Sequence, residues 1–102
     1  MLNSRITDEL LSALADSLRA RIVELLADEQ MCTCHLSEAT GARQTNVSNH
    51  LRVLREAGLV EPEPAGRFTY YRLRPDAFAS ICAYYSDVAD RAERSTRRRP
   101  CA

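Results

Sequence analysis

Along the first third of the chain, apolar residues recur at helical spacing. Leu10, Leu11 and Leu14 make one short face, and Leu18, Ile22, Leu25 and Leu26 make a second. Between them Asp16 and Ser17 interrupt the pattern with a capping signal, so two helices are predicted, over about 7–15 and 17–28. Thr7, followed by Asp8 and Glu9, supplies a cap oxygen and two acids at the positive end of the first helix dipole.

The next segment, TCHLSEATG, has Thr33 as a cap and Gly41 as a stop, which predicts a helix of barely two turns. After the turn Gly41-Ala42-Arg43, the stretch QTNVSNHLRVLREAGLV places Val47, Leu51 and Leu54 at i, i+4 and i+7 and closes at Gly58. Its other face reads Thr45, Asn46, Ser48, Asn49, Arg52 and Arg55. Thr, Ser and Asn are poor helix formers, so a solvated face would not select them. They do hydrogen-bond to bases and phosphates, and two short helices joined by a glycine turn make a helix-turn-helix.

An alternating FTYYRL run follows a Val60 segment across Gly66-Arg67, which predicts a β-hairpin with Arg67 at its tip. Pro62 and Pro64 confine the first arm to a sheet edge. Pro75-Asp76 opens a last helix whose stripe is Phe78, Ile81, Cys82, Tyr85, Val88, Ala89 and Ala92. The fold class expected is mainly α with a small β-hairpin, in the order α-α-α-α-β-β-α. One domain should span 1–92, followed by a basic, flexible tail, RSTRRRPCA, over 93–102.

Composition alters this picture in two places. A chain of 102 residues with 45% hydrophobic and 27% charged residues fits one soluble domain. So small a domain buries only about two-thirds of its unfolded surface, which favours a homodimer. The net charge is zero, which by itself argues against a nucleic-acid partner. Its distribution argues the opposite: residues 1–40 hold three Arg against seven acids, a net −4, and residues 41–102 hold eleven Arg against seven acids, a net +4. The sequence contains no apolar run of transmembrane length, and MLNSRITDELL lacks the apolar core of a signal peptide, so a cytoplasmic protein without a membrane partner is expected. Four cysteines in that compartment stay reduced and are available to a metal or to redox chemistry. With no phosphate loop and no carboxylate pair, an enzyme is not expected.

This order of elements resembles the winged-helix repressors of the ArsR/SmtB family over residues 7–92. The carriers are ALADSLRARIVELL, similar to the family's second-helix segment, QTNVSNHLRVLREAGLV, similar to its recognition helix, and GRFTYYRL, similar to its wing. The resemblance implies a homodimer that binds an inverted-repeat operator without a cofactor and dissociates when a metal or metalloid binds. It also implies a metal box on the third helix, to which Met31-Cys32-Thr33-Cys34-His35-Leu36 is similar. His35 replaces the usual Asp there, and Ser37 stands where many arsenic-responsive members carry a third cysteine. A zinc or nickel site of the kind other members build on the last helix is disfavoured, because this helix has no His.

Thiolates hold soft ions, and a helix N-terminus favours their deprotonation, so Cys32 and Cys34 are the expected metal ligands. As(III) or Sb(III) is the expected inducer, with Cd(II) or Pb(II), or a thiol redox switch, as alternatives. Candidates for a third ligand are Cys101, Cys82, His35 and an exogenous thiol, with Cys82 better placed as a packing residue of the last helix. Residues two apart on a helix point about 200° from each other, so capture of one ion by both sulfurs should distort the first turn of the third helix. On the DNA side, Arg43, Gln44, Thr45, Asn46, Ser48, Asn49, Arg52 and the wing-tip Arg67 are the expected contacts, with Asn49 and Arg52 on base edges. Tyr70 and Tyr71 either back the wing against DNA or pack it on the core. His50 is open to a capping or structural role.

Overall fold

The computed structural model describes the backbone of residues 4–101 and the side chains of residues 8–101. Helix α1 (Ser4–Leu14) begins three residues before the start predicted at Thr7, so Thr7 lies inside it. Helix α2 (Ser17–Asp28) starts where the sequence places it. The Asp16 carboxylate accepts hydrogen bonds from the backbone N–H of Leu18 at 2.9 Å and of Arg19 at 3.0 Å, satisfying two of the donors that a helix start leaves open.

A two-residue strand that periodicity does not signal, β1 (Met31–Cys32), precedes α3 (Thr33–Thr40). Cys32, not Thr33, is the cap residue of α3, and it caps without a side-chain hydrogen bond. At the other end Gly41 has φ 78°, and its N–H bonds to the Ser37 carbonyl at 2.9 Å. That left-handed conformation is what a glycine at the helix stop provides. Side chains then fasten the turn: Ser37 Oγ donates to the Ala42 carbonyl at 2.5 Å, and Thr40 Oγ1 accepts from the Ala42 N–H at 3.2 Å. The turn delivers the chain into α4 (Gln44–Glu56).

Strands β2 (Val60–Ala65) and β3 (Phe68–Leu73) form the hairpin, with Gly66-Arg67 between them. The antiparallel sheet order is β1-β3-β2, so β2 with its two prolines is an edge strand. Glu61 lies opposite Arg72 in the register and forms an ion pair with it.

The core is built from one face of each helix and the base of the hairpin: Leu10, Ala13, Ile22, Leu26, Met31, Leu36, Val47, Leu51, Leu54, Leu59 and Val60. Every one of the apolar positions predicted for α4 is buried. Helix α5 (Pro75–Arg94) differs. It starts at Pro75 as predicted and ends two residues beyond the expected boundary, yet it has no buried residue. Phe78, Ile81 and Val88 are half-buried, while Cys82, Tyr85, Ala89 and Ala92 face solvent. Its length accounts for part of an elongated molecule of 62 × 25 × 22 Å.

Candidate metal centre and nucleic-acid interface

The thiol site is assembled by the junction of β1 with α3. Cys32 is extended, with φ −86° and ψ 170°, and is paired across the sheet with Tyr70. Cys34 is already in the first turn of α3. Because the two cysteines do not share a helix, the opposed directions expected for them do not arise. The sulfurs of Cys32 and Cys34 and a ring nitrogen of His35 all lie within 4.8 Å of one another. No unwinding of α3 is required to bring them together, which corrects the expected distortion.

Cys32 is buried and Cys34 and His35 are exposed, so the cluster opens to solvent on one side. Cys32 Sγ lies 3.3 Å from His35 Nδ1, and the His35 ring stands 6.2 Å from that of Tyr70. Burial disfavours a Cys32 thiolate, but the hydrogen bond from Cys34 and those from the backbone N–H groups of His35 and Cys34 outweigh it. Together they hold the Cys32 thiol below the ordinary cysteine range. The same contact pushes Cys34 up, since the proton it donates to Cys32 is the one it would lose, and burial adds to the shift. The pair therefore loses its first proton more readily at Cys32 than at Cys34, and two sulfurs beside an imidazole nitrogen are a donor set suited to a soft or borderline cation.

Among the described residues no other group of three His, Cys, Asp or Glu side chains converges in this way. Cys82 is exposed on α5 and Cys101 is exposed beyond its end, and neither belongs to the cluster. Ser37 is engaged in the helix-turn-helix turn.

On α4 the buried face of Val47, Leu51 and Leu54 leaves Gln44, Thr45, Asn46, Ser48, Asn49 and Arg52 exposed, with Arg43 exposed at the cap position. Arg67 is exposed at the hairpin tip. Arg72, Arg74 and Arg91 are held in ion pairs with Glu61, Asp76 and Asp87, whereas Arg43, Arg52 and Arg67 carry none among the described residues. Unpaired guanidinium groups on the recognition helix and the wing are available to phosphates and guanine edges. Tyr71 packs against the core, and Tyr70 is half-buried beside His35.

His50 is the residue whose role the sequence leaves open. It sits on α4 and accepts from Arg19 Nη1 at 2.9 Å through Nδ1, while Arg19 Nε donates to the Ala13 carbonyl at 2.6 Å. No sequence signal marks this contact, because its partners are 31 residues apart.

A helix-turn-helix whose second helix presents an unburied polar face, followed by a β-hairpin and a long helix, is a winged helix-turn-helix domain. This one carries a thiol–imidazole cluster at the head of its first helix-turn-helix helix. The chain belongs to the ArsR family of bacterial regulatory proteins, whose family model matches residues 16–62. It is similar to an arsenic resistance transcriptional regulator of Pseudomonas putida, at 40% identity over 76% of this chain and 61% of the relative. It is 37% identical to the arsenical resistance operon repressor of Escherichia coli, over 84% of this chain and 71% of that protein. A homologue of the transcriptional repressor SmtB in Synechocystis is also 37% identical. The chain spans only 61% and 64% of the Pseudomonas and Synechocystis relatives. Among solved structures, one titled a possible transcriptional regulator for arsenical resistance shares 40% identity, with a TM-score of 0.70 over 79% of this chain and 83% of that one. A homodimeric winged helix-turn-helix DNA-binding domain of Mycobacterium bovis matches with a TM-score of 0.71 at 26% identity, over 93% of this chain and 89% of that one. No helix of the described residues is long and apolar enough to cross a membrane.

Proposed function

We propose that the protein is a transcriptional repressor that binds double-stranded operator DNA as a homodimer and leaves it when As(III) or Sb(III) is taken up by Cys32 and Cys34. The observation that carries this reading is the position of Cys32. It is a member of the thiol cluster and, through β1, the direct strand partner of Tyr70, three residues from the wing-tip Arg67. Capture of one ion by both sulfurs fixes the spacing of β1 and the first turn of α3. Those are the two elements that seat the wing strand and lead into the turn before α4. A coupling of about 1–3 kcal/mol between ion and DNA sites is ordinary for such an arrangement.

In the bound state, α4 lies in the major groove with Asn49 and Arg52 on base edges. Arg43, Gln44, Thr45, Asn46 and Ser48 hold the groove edge and phosphates, and Arg67 takes the adjacent backbone or minor groove. The unburied stripe of α5 supports a dimer, since a lone helix of this kind gains little stability from propensity alone. The arsenic-resistance names of two relatives support the metalloid.

The test is release of a labelled operator by arsenite from the wild type and from Cys32→Ser, Cys34→Ser, Cys82→Ser and Cys101→Ser. Release is expected in the wild type and in the last two variants, and loss of release in the first two. An unchanged response in both Cys32→Ser and Cys34→Ser overturns the reading, and release by peroxide in place of arsenite would make the thiols a redox switch.

A further inference from the structure

We propose that the segment 94–102 is a second DNA contact, in which Arg97, Arg98 and Arg99 hold duplex phosphates beside the sequence read by α4 and supply much of the affinity that does not depend on sequence. The proposal rests on the reading of this protein as a DNA-binding repressor and adds to it an element outside the winged helix-turn-helix.

The charge of the chain divides at Arg94. Residues 1–93 hold ten Arg against fourteen acids, a net −4, and residues 94–102 hold four Arg and no acid, a net +4. The body of the protein, recognition helix and wing included, is therefore negative overall, which at long range opposes approach to a polyanion. The positive field that favours encounter resides in the segment.

In the body, Arg21, Arg72, Arg74 and Arg91 are matched by acids. Arg97, Arg98 and Arg99 are exposed and make no ion pair among the described residues, although the body carries an excess of acids. The segment is thus not folded back on its own chain, and its three guanidinium groups are free. Arg94 has a separate use at the negative end of the α5 dipole, so the assignment is confined to the three that follow it. Residues 95–101 form neither helix nor strand. Extended, they span at most about 25 Å, some three times the Debye length of about 8 Å at physiological salt. They can follow a stretch of backbone that α4 and the hairpin do not touch.

Residue types select the partner. The run RSTRRRP has no aromatic or aliphatic side chain apart from Pro100. An interfacial membrane anchor needs an apolar face, and a single-strand binder needs rings on which bases stack. Duplex phosphates require only charge and hydrogen-bond donors, which the guanidinium forks and the Ser95 and Thr96 hydroxyls provide.

The experiment compares the wild type with two triple variants, Arg97→Gln, Arg98→Gln, Arg99→Gln and Arg97→Lys, Arg98→Lys, Arg99→Lys. Each is titrated across salt with a random-sequence duplex and with the duplex that the wild type selects from a random pool. The Gln variant should bind both duplexes about tenfold or more weakly, with a salt slope lower by about 2 or more and by about 5 if all six guanidinium groups of a dimer hold phosphates. Its preference for the selected duplex should change by less than about twofold. The Lys variant should retain affinity and slope, since a phosphate accepts a point charge. Unchanged affinity and slope in the Gln variant overturn the proposal, and loss of binding to phosphatidylglycerol vesicles in that variant would then give the segment to a lipid surface. A loss confined to the selected duplex, or no recovery with Lys, overturns it too. Absence of any sequence preference in the wild type would remove the repressor reading, while weaker binding of the Gln variant to the random duplex would leave the phosphate contact standing.

Discussion

Arg19 of α2 donates to His50 of α4 at 2.9 Å, and the same guanidinium reaches back to the Ala13 carbonyl near the end of α1 at 2.6 Å. A guanidinium only donates, so Nδ1 of His50 is the acceptor in this contact. One side chain thereby ties α1, α2 and the middle of α4 together. Replacement by Gln should cost about 1–2 kcal/mol in urea unfolding. Lys should not restore it, because a single ammonium cannot donate in two fixed directions from one planar fork. Full rescue by Arg19→Lys would show that charge alone matters.

The Asp16 cap makes the fold acid-sensitive. Its carboxyl is held below the usual carboxylate range, foremost by the Arg19 N–H, with a partly opposing effect of burial and further help from His50 and from the Leu18 N–H. A folded-state value that is lowered contributes stability that is fully present above the unfolded value, about pH 4, and is lost as pH falls through the folded value. Thermal midpoints of the wild type should drop more steeply than those of Asp16→Asn as pH falls below about 4. Parallel curves would exclude this cap as the source.

At Gly41 the constraint lies in the backbone. A Cβ there meets nothing within 4 Å, but φ is 78°. Gly41→Ala should therefore destabilise by about 1–2 kcal/mol without any packing defect. Gly41→Asn should cost less, since Asn tolerates the left-handed region. Equal stability of all three proteins by chemical denaturation would contradict this.

Leu51 is 1% exposed, on the buried face of α4 between Val47 and Leu54. Leu51→Ala should lose about 2–5 kcal/mol, whereas Arg52→Ala, one residue on, should leave the unfolding midpoint nearly unchanged.

DNA affinity should separate the helix from the wing. Arg52→Ala is expected to cost about 1–3 kcal/mol and relax sequence preference. Arg67→Ala is expected to weaken all sequences alike and reduce the salt slope by about 1. Both are read from operator and random-sequence titrations across salt. Loss of sequence preference in Arg67→Ala but not in Arg52→Ala would reverse the assignment.

Much of this architecture was legible in the chain because it rests on local chemistry. The Asp16 cap, the Gly41 stop, the Val47-Leu51-Leu54 spacing and the Gly66 turn each act within a few residues, and each element forms where those signals fall. The start of α1 was misplaced because helical propensity carries on ahead of Thr7. Strand β1 was illegible for a different reason. Two residues have no periodicity, and Met31-Cys32 is a strand only because β3 offers a free edge there.

The sequence by itself determined the order of the helices, the polar face of α4, the Arg at the wing tip and the presence of two thiols two residues apart. Their types and spacings are properties of neighbouring residues, and neighbouring residues are what a linear pattern records. Tertiary structure decided the rest. It placed Cys32 outside the helix so that its sulfur, that of Cys34 and the His35 ring converge, and it bound that residue to the wing through Tyr70. It also gave His50 to Arg19 and left the stripe of α5 unburied. Each of these depends on backbone direction or on a contact across the fold, and neither is encoded within a few residues.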